Sequence, residues 1–275
     1  MKINENSSIE MIRQLPERDG VHYALFDFDG TLSLIREGWQ AIMIPMMIEI
    51  LMQTPAHEDK DKITTVVRDF VTRLTGKQTI FQMIQLAEEV KKRGGNAEDP
   101  LTYKNEYHER LLKRIQYRLD GLRSKRIQPE EYLVPGAISI LEGLRSHGVK
   151  CYLASGTDEK YVLDEAELLH LTPYFAGIYG AQDDYMNFSK KMVIQRIIAE
   201  NNLSGPEFVA FGDGFVEIED TKSVNGIAVG VATNEADREG IDEWKRNRLI
   251  QAGADLIIPD FRVTDSLLQI LFPVK

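Results

Sequence analysis

The stretch Tyr23-Ala24-Leu25-Phe26-Asp27-Phe28-Asp29-Gly30-Thr31 decides the fold. Four apolar residues in a row suit a strand buried on both faces of a parallel sheet, since such a strand has no solvent side to alternate toward. The run stops at two acids separated by one residue, and positions i and i+2 of an extended chain point to the same side. Asp27 and Asp29 therefore face one pocket. Gly30 and Thr31 then permit a tight turn that exposes backbone donors, as a phosphate site requires. Two carboxylates this close do not both ionise cheaply, so the pair calls for either a cation or a shared proton. An EF-hand starting at Asp27 is excluded, because its twelfth position, which must carry a bidentate acid, is Gly38.

The same design recurs twice. Residues 152–154 are apolar and precede Ser155-Gly156-Thr157-Asp158, and residues 208–211 precede Gly212-Asp213-Gly214. Helical spacing fills the intervals at 135–144, 158–169 and 190–201. Further strands are expected at 227–231 and 255–258, with a helix over 236–252 between them. This alternation predicts an α/β fold, a doubly wound, Rossmann-like parallel sheet. Ligands of such sheets bind at the carboxyl ends of the strands, where all three polar endings would lie.

One interval breaks the rhythm. Roughly 100 residues separate Thr31 from Pro135, where a plain crossover needs about a dozen. The expected division is therefore a core of residues 1–32 and 133–275, with an inserted cap domain over 33–132. Ile80, Met83, Ile84, Ala87 and Val90 keep helical spacing before Gly94-Gly95, and no alternating strand pattern appears, so the cap should be helical. Fed from the polar end of the first strand, it should sit over the site. Residues 41–52, with Met43, Met46, Met47 and Met52, read as a buried or interface helix, too short to span a bilayer.

Composition narrows the function classes. The chain of 275 residues is 43% hydrophobic and 28% charged, as ordinary folded proteins are. Its net charge of −10 argues against general attraction to nucleic acid or anionic membrane. A basic stretch at 104–126 carries eight Lys or Arg against three acids, and reads as the solvated face of a helix. The single cysteine, Cys151, excludes an internal disulfide and lies in an apolar run. Residues 1–20 lack the apolar stretch of a signal peptide, so the cytoplasm is the expected location.

Outside the Asp27 segment each signal has a plainer reading. Ser155 can donate to a phosphoryl oxygen, whereas Thr157 or Asp158 can cap a helix. No glycine pattern of a nucleophile elbow surrounds Ser155. Lys190 and Lys191 open a helix, where a cation opposes the dipole and hints at an anionic partner, though on the sequence alone a solvated lysine is the favoured reading. Asp213 and Glu217, four residues apart, offer hard oxygen donors suited to magnesium.

Taken together, DFDGT at 27–31, Ser155, Lys190, and Gly212-Asp213-Gly214 with Glu217 resemble haloacid dehalogenase-type phosphatases. The likeness extends over about residues 20–31 and 133–272, and is closest to phosphoglycolate and phosphoserine phosphatase-like members with a helical cap after the first strand. It implies that Asp27 attacks phosphorus, and that Asp29 protonates the leaving group and then activates water. It implies Mg2+ held by the Asp27 carboxylate, the Asp29 carbonyl and Asp213, with Glu217 acting directly or through water. The family commonly has aspartate at that last position. Ser155 and Lys190 would bind phosphoryl oxygens beside Thr31 and Gly156, and Lys190 would orient Asp27. Arg36, Glu37, Trp39 and Lys77 are candidates for selecting a small phosphorylated metabolite. The alternatives are a sugar phosphomutase, a phosphonate hydrolase using Lys77 as a Schiff base, and a non-catalytic phosphometabolite-binding protein.

Overall fold

The computed structural model describes residues 9–182, 189–203 and 205–273. The chain forms two compact units, Met1–Glu37 with Gly121–Lys275, and Gly38–Asp120. Among the described residues the strands are β1 (Glu10–Met11), β2 (Tyr23–Phe26), β3 (Lys150–Asp158), β4 (Phe175–Ala181), β5 (Phe208–Gly212), β6 (Ile227–Val231) and β7 (Leu256–Ile258). The helices are α1 (Gln40–Leu51), α2 (Lys60–Leu74), α3 (Thr79–Lys92), α4 (Pro100–Arg123), α5 (Ala137–Ser146), α6 (Glu159–Leu168), α7 (Lys190–Asn201), α8 (Phe215–Ser223), α9 (Glu243–Ala252) and α10 (Thr264–Leu271).

All the strands lie in one sheet, ordered β1-β7-β6-β5-β2-β3-β4. Neighbours run parallel except the short edge strand β1, which is antiparallel to β7. The chain thus enters the middle of the sheet at β2, builds outward through β3 and β4, then returns to the other side for β5, β6 and β7. That reversal makes the carboxyl end of β2 the switch point where such sheets hold their ligands. Phe26 pairs with Leu153 on one side and Phe211 on the other. The next residues along three adjacent strands are therefore Asp27, Ala154 and Gly212.

Strand parity decides which face each side chain serves. Leu25 joins Ala154, Phe208 and Ala210 in a cluster with Val193, Ile194 and Ile197 of α7. Phe26 points the other way, stacking on Phe211 at 4.5 Å and packing against Phe261 at 6.1 Å. Asp27 shares the parity of Leu25, so it emerges on the side covered by α7. The register and the helix packing together determine which cation the nucleophile candidate meets.

Some elements differ from the sequence reading. Strand β3 does not stop at residue 154 but carries Ser155-Gly156-Thr157-Asp158 in extended form, with its register to β4 shifted between Ala154 and Asp158. The helix expected over 236–252 begins only at Glu243, because Gly240 takes a positive φ of 75° and Asp242 caps the helix by accepting from the Lys245 amide at 3.0 Å. Strands β1 and β4 carried no clear signal: one has two residues, and the other, Phe-Ala-Gly-Ile-Tyr-Gly-Ala, is interrupted by glycines.

The second unit consists of helices. In α1 the side chains of Met43, Met46 and Met47 are buried, as the apolar window predicts. The basic stretch is not uniformly solvated: Lys113, Arg114 and Arg123 are exposed, but Lys104 and Arg118 are 3% and 7% exposed. No described helix is long and apolar enough to cross a membrane.

The two passages leading out of and back into the first unit pair with one another. Leu34 donates its amide to the Tyr132 carbonyl at 2.8 Å, Val134 donates to the Leu32 carbonyl at 3.0 Å, and Ser33 lies antiparallel to Leu133. Leu32, Leu34, Leu133 and Val134 are all buried, which secures this neck from within.

Cys151, on β3, is 3% exposed and burial pushes its thiol up to about 12. The folded protein is therefore expected to resist a thiol reagent such as DTNB at pH 8, and to titrate its single thiol only after unfolding in denaturant. Rapid labelling of the native state is the contrary result.

Candidate active site

Asp27 follows β2 directly, and its amide still donates to the Phe211 carbonyl at 2.9 Å, so the sheet fixes its backbone. The residue is 6% exposed and its Oδ1 accepts from the Lys190 ammonium at 2.7 Å. Lys190 is the first residue of α7, whose N-terminus is capped by Ser189 Oγ accepting from the Met192 amide at 3.1 Å. The reading of Lys190 as a solvated lysine is corrected: it is 6% exposed and also donates to Glu217 Oε1. A buried ammonium in a helix first turn is tolerable because two carboxylates meet it. Lys191 is exposed.

Burial is the largest influence on Asp27, pushing its carboxyl up to about 7; the Lys190 charge opposes this, while Asp213 and Asp29 add repulsion. A buried carboxylate crowded by like charges and held by one lysine marks Asp27 as a candidate functional group.

Asp29 is clamped by hydroxyls. Its Oδ2 accepts from Thr157 Oγ1 at 2.8 Å and from Ser155 Oγ at 3.3 Å, while Ser155 Oγ accepts from the Thr157 amide at 3.0 Å. The helix-cap reading of this stretch therefore fails for Thr157, whose hydroxyl is spent on Asp29. Thr157 is the contact that sequence reasoning missed, and its position two residues from Ser155 on an extended strand was the available signal. Gly156 lies between them, half-buried.

Arg36 does not stand open toward a ligand. It is 5% exposed and forms a bidentate pair with Glu165 on α6, with Nη2 to Oε1 at 2.7 Å and Nε to Oε2 at 3.1 Å. Its Nε also lies 3.8 Å from Asp29 Oδ1. Burial raises the Glu165 carboxyl and the Arg36 charge works against that rise. Arg36 thus anchors the segment behind Asp29 to α6. Lys77 belongs to the second unit, where it is exposed and lies 5.9 Å from the Phe81 ring centroid. Glu37 faces Arg238 at 4.0 Å.

The turn after Asp29 brings in the third strand. Gly30 has φ +78°, and its amide donates to the Ser33 carbonyl at 2.9 Å. A Cβ at Gly30 would collide with Asp213 Oδ2 and approach Glu235 Oε1 to 3.1 Å. Thr31 is fully buried and its Oγ1 accepts from the Asp213 amide at 3.0 Å, so this hydroxyl serves to dock the β5 loop. Asp213 Oδ2 in turn accepts from Lys245 at 2.8 Å, and Lys245 reaches Glu235 Oε1 at 2.6 Å. Neither Lys245 nor Glu235 was singled out from the sequence, because both lie beyond the motif in a stretch with no pattern of its own. Glu217 sits at 0% exposure in the first turn of α8, against Gly212, and its Oε1 serves Lys190.

Asp27, Asp29, Ser155, Lys190, Asp213 and Glu217 are thus gathered at the carboxyl ends of β2, β3 and β5. Among the described residues no three His, Cys, Asp or Glu side chains form a metal-binding group of their own. Magnesium fits such a site, since it is commonly held by one or two carboxylates and completes its shell with water and substrate oxygens. Asp27 and Asp213, which repel one another, offer hard oxygen donors, and the buried Asp29 Oδ1 and Glu217 Oε2 have no hydrogen-bond partner.

Residues 21–219 match the model of the haloacid dehalogenase-like hydrolase family, and the chain belongs to that family. No curated protein matches it. Solved structures share its fold. A β-phosphoglucomutase from Clostridium difficile has a TM-score of 0.60 at 14% identity, covering 91% of this chain and 97% of its own. A predicted phosphoglycolate phosphatase from Haemophilus somnus has 0.59 at 16%, covering 90% and 96%. A family IA, variant 3 hydrolase from Entamoeba histolytica has 0.59 at 21%, covering 91% and 99%.

Two outcomes test this geometry. Gly30→Ala combines a left-handed backbone with a clash against Asp213, and is expected to cost roughly 1–3 kcal/mol of stability, read as a lower Tm. The Asp27 carboxyl titrates higher in the folded than in the unfolded chain, so it favours the fold below about pH 4 and opposes it increasingly as pH rises through about 7. In chelator-treated protein Asp27→Asn should therefore raise Tm by several degrees at pH 8 and by less at pH 5.

Proposed function

We propose that the protein is a magnesium-dependent phosphomonoester hydrolase that acts on a small phosphorylated metabolite through an aspartyl phosphate on Asp27. The observation that carries this reading is the Lys190 ammonium on Asp27 Oδ1 at a strand end, with Asp29 held two residues on by Ser155 and Thr157.

The Asp27 carboxylate forms a bond to phosphorus as the bond from phosphorus to the leaving oxygen breaks, and Asp29 gives that oxygen its proton. Asp29, now ionised, takes a proton from water as the water oxygen attacks the aspartyl phosphate. The bond from phosphorus to Asp27 then breaks, releasing inorganic phosphate and restoring both acids. Lys190 orients Asp27 and offers its charge to the transferring phosphoryl oxygens, and the Ser155 hydroxyl keeps Asp29 pointed at the leaving group. Asp27, Asp213 and the Asp29 carbonyl would hold the magnesium, with Glu217 supporting the set through Lys190. When bound, the ion neutralises phosphate charge that would otherwise repel the nucleophile.

The helical unit is assigned as the cap domain that selects the remainder of the substrate, with Lys77 as a candidate contact. A net charge of −10 and a single buried thiol suit a cytoplasmic enzyme of small metabolites rather than a nucleic-acid or membrane partner. The fold likeness to a phosphomutase keeps one other outcome in view: the aspartyl phosphate could pass its phosphoryl group back to a sugar instead of to water. Release of inorganic phosphate from a sugar phosphate, rather than its isomerisation, decides for hydrolysis.

The wild-type protein should hydrolyse p-nitrophenyl phosphate with Mg2+ and lose the activity in EDTA. Asp27→Asn should lower kcat by about 1,000-fold or more, and Asp29→Asn by roughly 100- to 10,000-fold. Turnover unchanged in Asp27→Asn would remove the nucleophile assignment.

A further inference from the structure

Lys245 is a second buried cation beside the carboxylates, and the chemistry above does not use it. It stands in the first turn of α9 at 8% exposure, its amide fixed by the Asp242 cap. Its ammonium is shared almost evenly between Asp213 Oδ2 at 2.8 Å and Glu235 Oε1 at 2.6 Å. Both acids crowd the Gly30 turn, so these three charges are packed directly onto the segment that carries Asp27. The two carboxylates hold the ammonium firmly charged, against the burial that works to neutralise it.

Asp213 Oδ2 cannot serve an ammonium and a divalent cation at full strength together. Glu235 already touches the ammonium, so Lys245 can release Asp213 without losing its last partner and without being stranded as a buried, unpaired charge. We propose that Lys245 and Glu235 form an exchange pair that controls divalent-cation binding: Lys245 holds Asp213 in place until the cation arrives, then rests on Glu235. Lys245 and Glu235 are positioning residues in this scheme, acting through Asp213. The inference rests on Asp213 as a magnesium ligand, the reading given above.

The test is calorimetric titration of the chelator-treated protein with Mg2+ and with Mn2+. Lys245→Met removes the competitor and should tighten binding at least tenfold, the scale expected when a full charge is taken from within ~5 Å at an effective dielectric near ~20. Glu235→Gln leaves Lys245 with no partner but Asp213 and should weaken binding at least tenfold. In Lys245→Met/Glu235→Gln the second change should cost little, because Glu235 acts only through the lysine. Lys245→Gln, which is neutral, one atom shorter than lysine and still carries an amide donor, serves if Lys245→Met fails to fold, and should also tighten binding. Binding unchanged or weaker without the lysine charge overturns the exchange pair, as does a Glu235→Gln loss that persists when Lys245 is absent. If the wild-type protein takes up neither cation, the magnesium reading itself falls and this inference falls with it; if it binds and the variants match it, only the exchange pair is lost.

Discussion

The Lys190 ammonium, shared between Asp27 and Glu217, is the contact on which the rest of the site depends. Five carboxylates, those of Asp27, Asp29, Asp213, Glu217 and Glu235, are gathered near the carboxyl ends of the central strands, against the ammoniums of Lys190 and Lys245. Such a surplus of negative charge away from water is costly unless protons or cations offset it. The raised Asp27 carboxyl records part of that cost. The sheet tolerates it because the central strands beneath, β2 and β5, are apolar runs in regular parallel register, and because Lys190 and Lys245 each meet two of the acids.

That support is distributed. Ser155 and Thr157 hold Asp29 from β3, Thr31 holds the Asp213 loop from the first turn, and the Arg36–Glu165 pair ties the following segment to α6. None of these contacts carries out a chemical step. Each lowers the freedom of a side chain in the carboxylate cluster or of the segment that carries it.

The sequence displayed the parts of this design that are local. Buried parallel strands read as continuous apolar runs, so β2, β5 and β6 were visible, and the shared side of the two acids after β2 followed from strand parity. Asp27 and Asp29 were legible because two acids at i and i+2 after an apolar run must open on the same side of the sheet. Lys190 was not legible as a buried residue, since a lysine at a helix start looks the same whether water or two carboxylates surround it. Thr157 had a competing role as a cap, and Arg36 one as a ligand contact; only the fold shows that Glu165, far along the chain, claims Arg36. Glu235 and Lys245 were hidden for the same reason: their meaning lies in Asp213, which meets them across a loop without pattern.

The neck formed by residues 32–34 and 132–134 has a consequence for the segment beyond it. The antiparallel pairing there closes the long excursion within the first unit itself, through its own amides and four buried apolar side chains. The entropy of bringing the two ends together is met at that junction and grows only slowly with what lies beyond it. A change in the length of the segment beyond the neck therefore adds little to the entropy of closing it, and leaves the pairing of residues 32–34 with 132–134 to the first unit's own contacts.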